Sequence, residues 1–128
     1  LTIALAWRLP WRVWILGSCS LRTSSATGSV SAAEYVVAPD GAAEHLLAAE
    51  VTLEVEDEWE SPAGGAYPSA WTLSLPERGM TLRIVPVIAD QELFTTVRYW
   101  EGAVDVSGER DGRPISGRGY VELTGYAD

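Results

Sequence analysis

Residues 93–126 read LFTTVRYWEGAVDVSGERDGRPISGRGYVELTGY. A β-rich run from Leu93 to Ser107 is followed by Glu109-Arg110-Asp111-Gly112-Arg113, and a second run extends from Ile115 to Tyr126. Asp-Gly between two such runs marks a two-residue type I′ hairpin, because both central positions of that turn need positive φ. The turn fixes the register, since the residues flanking it must pair. Counting outward, Arg110 faces Arg113, Val106 faces Gly117, Asp105 faces Arg118, Ala103 faces Tyr120, Glu101 faces Glu122 and Trp100 faces Leu123. Side chains alternate across a strand, so the hairpin has two unlike faces. One carries Trp100, Val104, Val106, Val121 and Leu123, interleaved with Gly102, Gly117, Gly119 and Gly125. It reads as core, and glycines there point to strand bending or close backbone approach. The other carries Tyr99, Glu101, Asp105, Arg118, Tyr120, Glu122, Thr124 and Tyr126, polar but tyrosine-rich, suited to solvent or to a ligand.

The same period of two continues upstream. Val51, Leu53 and Val55 alternate with Thr52, Glu54 and Glu56; Trp71, Leu73 and Leu75 alternate with Thr72 and Ser74; Met80, Leu82 and Ile84 alternate with Thr81 and Arg83. Each is a strand with one buried face. Between the first two, Ser61-Pro62-Ala63-Gly64-Gly65-Ala66-Tyr67-Pro68 reads as a loop, being too rich in proline and glycine for an element interior. Residues 42–50 leave helix and strand both open, since alanine and leucine favour helix. The expected fold is all-β and antiparallel, with Trp71, Leu73, Leu75, Leu82, Ile84, Trp100, Val104 and Leu123 in its core.

Composition narrows the function. The 128 residues suffice for one domain, and 47 % hydrophobic with 21 % charged residues is a globular profile. Eighteen acidic against nine basic residues give a net charge of −9, which repels phosphate backbones and anionic lipid surfaces. The lone Cys19 and lone His45 exclude an intrachain disulfide, a CxxC-type metal site and a multi-histidine zinc site. No metal or cofactor is expected. His45, beside the turn signal Pro39-Asp40-Gly41, reads as a surface residue at a strand start. Residues 1–19 are apolar but interrupted by Arg8, Pro10 and Arg12, too broken for the roughly 20 residues of a membrane span. Leu16-Gly17-Ser18-Cys19 resembles a lipoprotein cleavage box, though the apolar run before it is shorter than the usual signal core of about 7–15 residues. A buried strand, or sequence foreign to the domain, is the reading of this segment.

Tyr99-Trp100-Glu101-Gly102-Ala103-Val104 and the run from Gly117 to Tyr126 resemble the closing motifs of the AttH/CrtC-type family, which includes carotenoid 1,2-hydratase (hydroxyneurosporene synthase) and predicted secreted hydrolases. Trp59-Glu60-Ser61-Pro62, Tyr67-Pro68, Trp71 with Leu73 and Leu75, and Asp90-Gln91-Glu92-Leu93 support the resemblance, which spans residues 28–126. It implies two tandem lipocalin-like β-barrels, with this chain as the C-terminal barrel. Residues 28–128 then form the domain, and residues 1–27 are an N-terminal segment whose relation to it stays open. The resemblance further implies a hydro-lyase acting on a long apolar isoprenoid or polyene, an N-terminal lipocalin-like partner domain, and a bacterial secreted, periplasmic or membrane-associated location. The histidine-, aspartate- and tryptophan-rich segments associated with the hydratases' chemistry are absent from this chain.

Hydration of an isolated alkene needs a strong proton donor and a surface that stabilises the carbocation, and a carboxylic acid among aromatic faces supplies both. Two carboxylates in one cross-strand pair repel unless one keeps a proton or an arginine intervenes. Glu101 and Glu122 are therefore the candidate catalytic pair, with Tyr99, Trp100, Tyr120 and Tyr126 as candidate ligand-binding residues. The alternatives are that both glutamates are solvated or pair with Arg83, Arg98 or Arg118, and that Trp100 is core. The acidic run Glu54, Glu56, Asp57, Glu58 and Glu60 reads as a solvated, charged strand edge rather than a cation site. Three functions stay open: a hydratase domain, a non-catalytic barrel sequestering an apolar ligand, and a structural barrel supporting another domain.

Overall fold

The computed structural model describes residues 2–7, 14–18, 34–38 and 40–126. The lipoprotein-like box ends on Cys19, which lies outside the described residues. Among the described residues, ten strands form one antiparallel sheet: β1 (Thr2–Trp7), β2 (Trp14–Ser18), β3 (Glu34–Val37), β4 (Ala43–Leu46), β5 (Thr52–Glu60), β6 (Ala66–Leu75), β7 (Met80–Pro86), β8 (Glu92–Phe94), β9 (Arg98–Arg110) and β10 (Arg113–Thr124). The order is β4-β3-β2-β1-β10-β9-β7-β6-β5, with β8 added to β9 beyond the end of β7. No helix in the described residues is long and apolar enough to cross a membrane.

The connectivity forces the sheet to curl. β4 and β5 stand at its two ends, yet only residues 47–51 join them. Nine flat strands at about 4.8 Å spacing would separate those ends by roughly 38 Å, whereas a link of this length reaches at most about 20 Å. Leu46 of β4 accordingly enters the same core as Leu53 of β5, and Arg78, in the 3₁₀ turn after β6, pairs with Glu44 of β4 at 2.7 Å. The result is a barrel-like sheet whose β4–β5 seam carries no strand pairing among the described residues. Trp71, Trp100, Tyr67, Leu75, Leu82, Ile84, Leu123, Val104 and Val121 fill its interior, as side chains do in small barrels.

The terminal hairpin has the expected register throughout, from Arg110–Arg113 to Trp100–Leu123. Asp111 and Gly112 take φ of 52° and 70°, the positive values a type I′ turn requires. Every residue of the expected core is buried. Three local expectations are refined. Residues 42–50 divide into β4 and a 3₁₀ turn over Ala48–Glu50, where the Glu50 carboxylate accepts from the Leu47 N–H at 2.6 Å. The stretch expected as a loop from Ser61 to Pro68 ends at Gly65, and Tyr67 and Pro68 belong to β6. β7 pairs with β6 only from Trp71 onward, so Pro68 lies where one side of the strand is open and its missing N–H costs nothing. The run from Leu93 to Ser107 is broken at Thr95, whose hydroxyl donates to the Val97 carbonyl at 2.7 Å and accepts from the Val97 N–H at 3.4 Å. Such a side-chain turn competes with strand pairing. Residues 2–7 and 14–18, from the segment set apart by its sequence, lie in the sheet as β1 and β2, with β1 between β10 and β2.

Candidate functional site: the outer face of the terminal hairpin

β9 and β10 place Tyr99, Glu101, Tyr120 and Glu122 on the outer wall. Glu101 is directly opposite Glu122, and Tyr99 opposite Thr124. Tyr120 lies diagonally from Glu101, within the reach of a long side chain across a strand pair, and its hydroxyl donates to Glu101 Oε1 at 2.6 Å. That bond, then partial burial and the Glu101 charge, push the Tyr120 hydroxyl up to about 12. Burial followed by the Glu101 charge also pushes Tyr99 up. Glu101 and Glu122 are half-buried, neither enclosed nor in open solvent. The arginines considered for them are engaged elsewhere. Arg83 pairs with Glu56 at 3.1 Å, Arg98 with Glu92 at 2.6 Å, and Arg118 with Asp105 at 3.6 Å. A phenol, not a guanidinium, is therefore Glu101's hydrogen-bond partner.

Two of the candidate residues lie apart from this face. Trp100 is fully buried in the core, with its Nε1 donating to the Ala89 carbonyl at 2.8 Å. Tyr126 is half-buried at one end of the barrel, its ring 6.0 Å from that of Tyr67. The structure thus brings together Tyr99, Glu101, Tyr120 and Glu122, and sets Trp100 behind them. The backbone under Glu101 is held by Gln91, whose carbonyl accepts from the Glu101 N–H at 3.1 Å. The Gln91 amide accepts from the Ala103 N–H at 2.8 Å and donates to the Ala103 carbonyl at 3.1 Å. It imitates a strand residue in doing so, and it occupies the space a Cβ on Gly102 would need.

A second polar cluster, not foreseen from the sequence, lies at the barrel end. Glu92 faces inward opposite Trp100, its side chain 2 % exposed. It accepts from the Ser61 hydroxyl at 2.6 Å, the Tyr67 hydroxyl at 2.7 Å and Arg98 Nε at 2.6 Å. Burial alone would raise the Glu92 carboxyl, but these three donors outweigh it and hold it below the usual carboxylate range. Burial, then the bond to Glu92, pushes Tyr67 up to about 12. Arg98 also donates to the Ala63 carbonyl at 3.3 Å and to the Gly64 carbonyl, so the 61–65 loop is tied to β9. With its donors and acceptors satisfied, this cluster holds the barrel end together. No sequence signal marked it, since Glu92 comes opposite Trp100 only through the break that separates β8 from β9. On β5, Glu54, Glu56, Asp57, Glu58 and Glu60 are all exposed at the sheet edge. Among the described residues, no group of three or more histidine, cysteine, aspartate or glutamate side chains is placed to hold a metal ion.

An all-antiparallel, lipocalin-like barrel with a phenol–carboxylate face on its outer wall is the class defined by this fold and site. The chain belongs to the AttH-like family, which it matches over residues 16–126. Among solved structures, it is similar to a candidate AttH from Nitrosomonas europaea, with a TM-score of 0.70 and 27 % identity over 99 % of this chain and 39 % of that one. It also resembles kievitone hydratase from Nectria haematococca, with a TM-score of 0.62 and 19 % identity over 96 % of this chain and 38 % of the other. The latter likeness is one of fold alone. The chain therefore spans about two-fifths of the length of both neighbours. No curated protein matches it.

Proposed function

We propose that this chain is the lipocalin-like barrel of a hydratase-type AttH-like protein, acting beside a second lipocalin-like domain. In this reading it binds a long apolar isoprenoid or polyene along the outer face of β9–β10 and assists addition of water to a carbon–carbon double bond. The observation that carries it is the 2.6 Å bond from Tyr120 to Glu101, with Glu122 directly across the strand pair. A phenol at about 12 is too weak an acid to protonate an alkene, so the proton comes from the carboxyl pair. Tyr120 orients Glu101 by occupying one of its oxygens, and the faces of Tyr99 and Tyr120 stabilise the cation electrostatically. Protonation of one alkene carbon leaves a carbocation on the other; water adds there, and its surplus proton returns to the carboxylate pair.

Incubating the chain with an acyclic carotenoid in detergent micelles tests this. Quenching of tryptophan emission reports binding, and a product heavier by one water reports turnover. Glu101→Gln and Glu122→Gln should each abolish the product while leaving quenching intact. Binding without any hydrated product would sink the catalytic reading. A non-catalytic binding or structural barrel is the second reading, favoured by the exposed apolar side chains Val87, Ile88, Leu93, Phe94 and Val97.

A further inference from the structure

The connection from β7 to β9 carries an unguarded surface. Val87, Ile88, Leu93, Phe94 and Val97 are each between 41 % and 66 % exposed within eleven residues. Asp90 is the one exposed charged side chain in that stretch, because Glu92 is turned inward against Arg98. β8 pairs with β9 alone, and its other edge meets no strand among the described residues. The end strand β5 is the opposite case, with five exposed acids along it. Charges on a free strand edge block pairing with another chain, whereas an apolar free edge invites it. The β5 edge is thus guarded by charge, and the β8 edge is not.

We propose that this strip is a homodimer interface, in which β8 and its flanking residues meet the same segment of a second copy across a two-fold axis. Antiparallel pairing of one edge with itself satisfies such an axis directly. The strip is also where two chains of net charge −9 approach with least repulsion. Its size fits as well. At these exposures the four aliphatic side chains and Phe94 together present on the order of 500 Å² per copy, at the upper end of the largest apolar patch of an ordinary monomer. A standard interface takes about 800 Å² per partner. The strip would thus supply about 60 % of such a patch as apolar surface, near the roughly 65 % of homodimer interfaces, with Asp90, Gln91, Thr95 and Thr96 beside it. Leu93 pairs with Tyr99, so the second copy would lie beside the row leading to Glu101 and withdraw that face from water. The inference stands on the strip and goes beyond any water-adding role, so it is read with no ligand present.

Sedimentation equilibrium of the full chain at micromolar concentrations should give twice the 13.8 kDa chain mass, falling on dilution. The double substitution Ile88→Glu with Val97→Glu places like charges across the axis and should weaken dimerisation at least roughly 100-fold, with circular dichroism unchanged. Leu47→Glu, equally exposed but outside the strip, should leave the dimer intact. If the double variant fails to fold, amide exchange of the parent decides. Residues 92–97 should then be protected at high and not at low concentration. A parent chain that is monomeric throughout, or a dimer unaffected by the double substitution, overturns the proposal.

Discussion

Glu92 is a carboxylate buried among aromatic rings, and it is stable there because three donors converge on it. The pH dependence follows from the direction of each shift. Glu92 is held below its ordinary value of 4.5, so its contribution is present above that value and is lost as pH falls through the lowered one. Tyr67 is raised from 10.0 to about 12, so its contribution is complete below about 10 and is lost as pH rises from there to about 12. Glu92→Gln keeps the shape but removes the charge-assisted bonds. Denaturant unfolding should show a loss of roughly 2 kcal/mol at neutral pH and a flatter acid limb; an unchanged acid limb would mean that other carboxylates govern it. The Tyr120–Glu101 contact was half legible in the sequence. Register placed the two on one face, but a diagonal contact depends on side-chain reach. The Glu92 cluster was not legible, because Ser61 and Tyr67 lie in one stretch and Glu92 and Arg98 in another, 25 or more residues on, and only the tertiary pairing of strands brings the two together.

Among the elements, the β9–β10 hairpin was readable because its information is local: two residues, Asp111 and Gly112, dictate twelve pairs. The β8–β9 break was not, since Thr95 and Thr96 are good strand formers and only the Thr95 hydroxyl's bonds to Val97 betray the turn. Likewise, Pro68 reads as a breaker until β7 is seen to leave that side of β6 open. Gly102 was expected to mark bending or close backbone approach; the approaching group is the Gln91 side chain. Gly102→Ala should therefore cost about 1–3 kcal/mol by overpacking, even though alanine suits a strand as well as glycine does. The double-mutant cycle isolates the cause: in a Gln91→Ala background the same substitution should cost much less in a thermal melt. Equal costs in both backgrounds would place the strain elsewhere in the strand.

At the scale of the whole molecule, curling was implied by no single stretch of sequence. It follows from β4 and β5 being neighbours along the chain but opposite ends of the sheet. The pairing of β1 with β10, where Thr2 meets Glu122, has a consequence for the order of assembly. β5–β6, β6–β7 and β9–β10 each close through a few residues, whereas β1–β10 closes a loop of nearly the entire chain. The entropy of that closure costs roughly 3 kcal/mol more than a hairpin's, and nothing repays it until β10 has already formed on β9. The β1–β10 seam is then the last to zip and the first to breathe. In native-state hydrogen exchange, the amides shared by β1 and β10 should open at lower free energy than those shared by β9 and β10, although both sets flank the same strand. Equal protection on the two sides of β10 would instead make the sheet a single cooperative unit, with no early and late half.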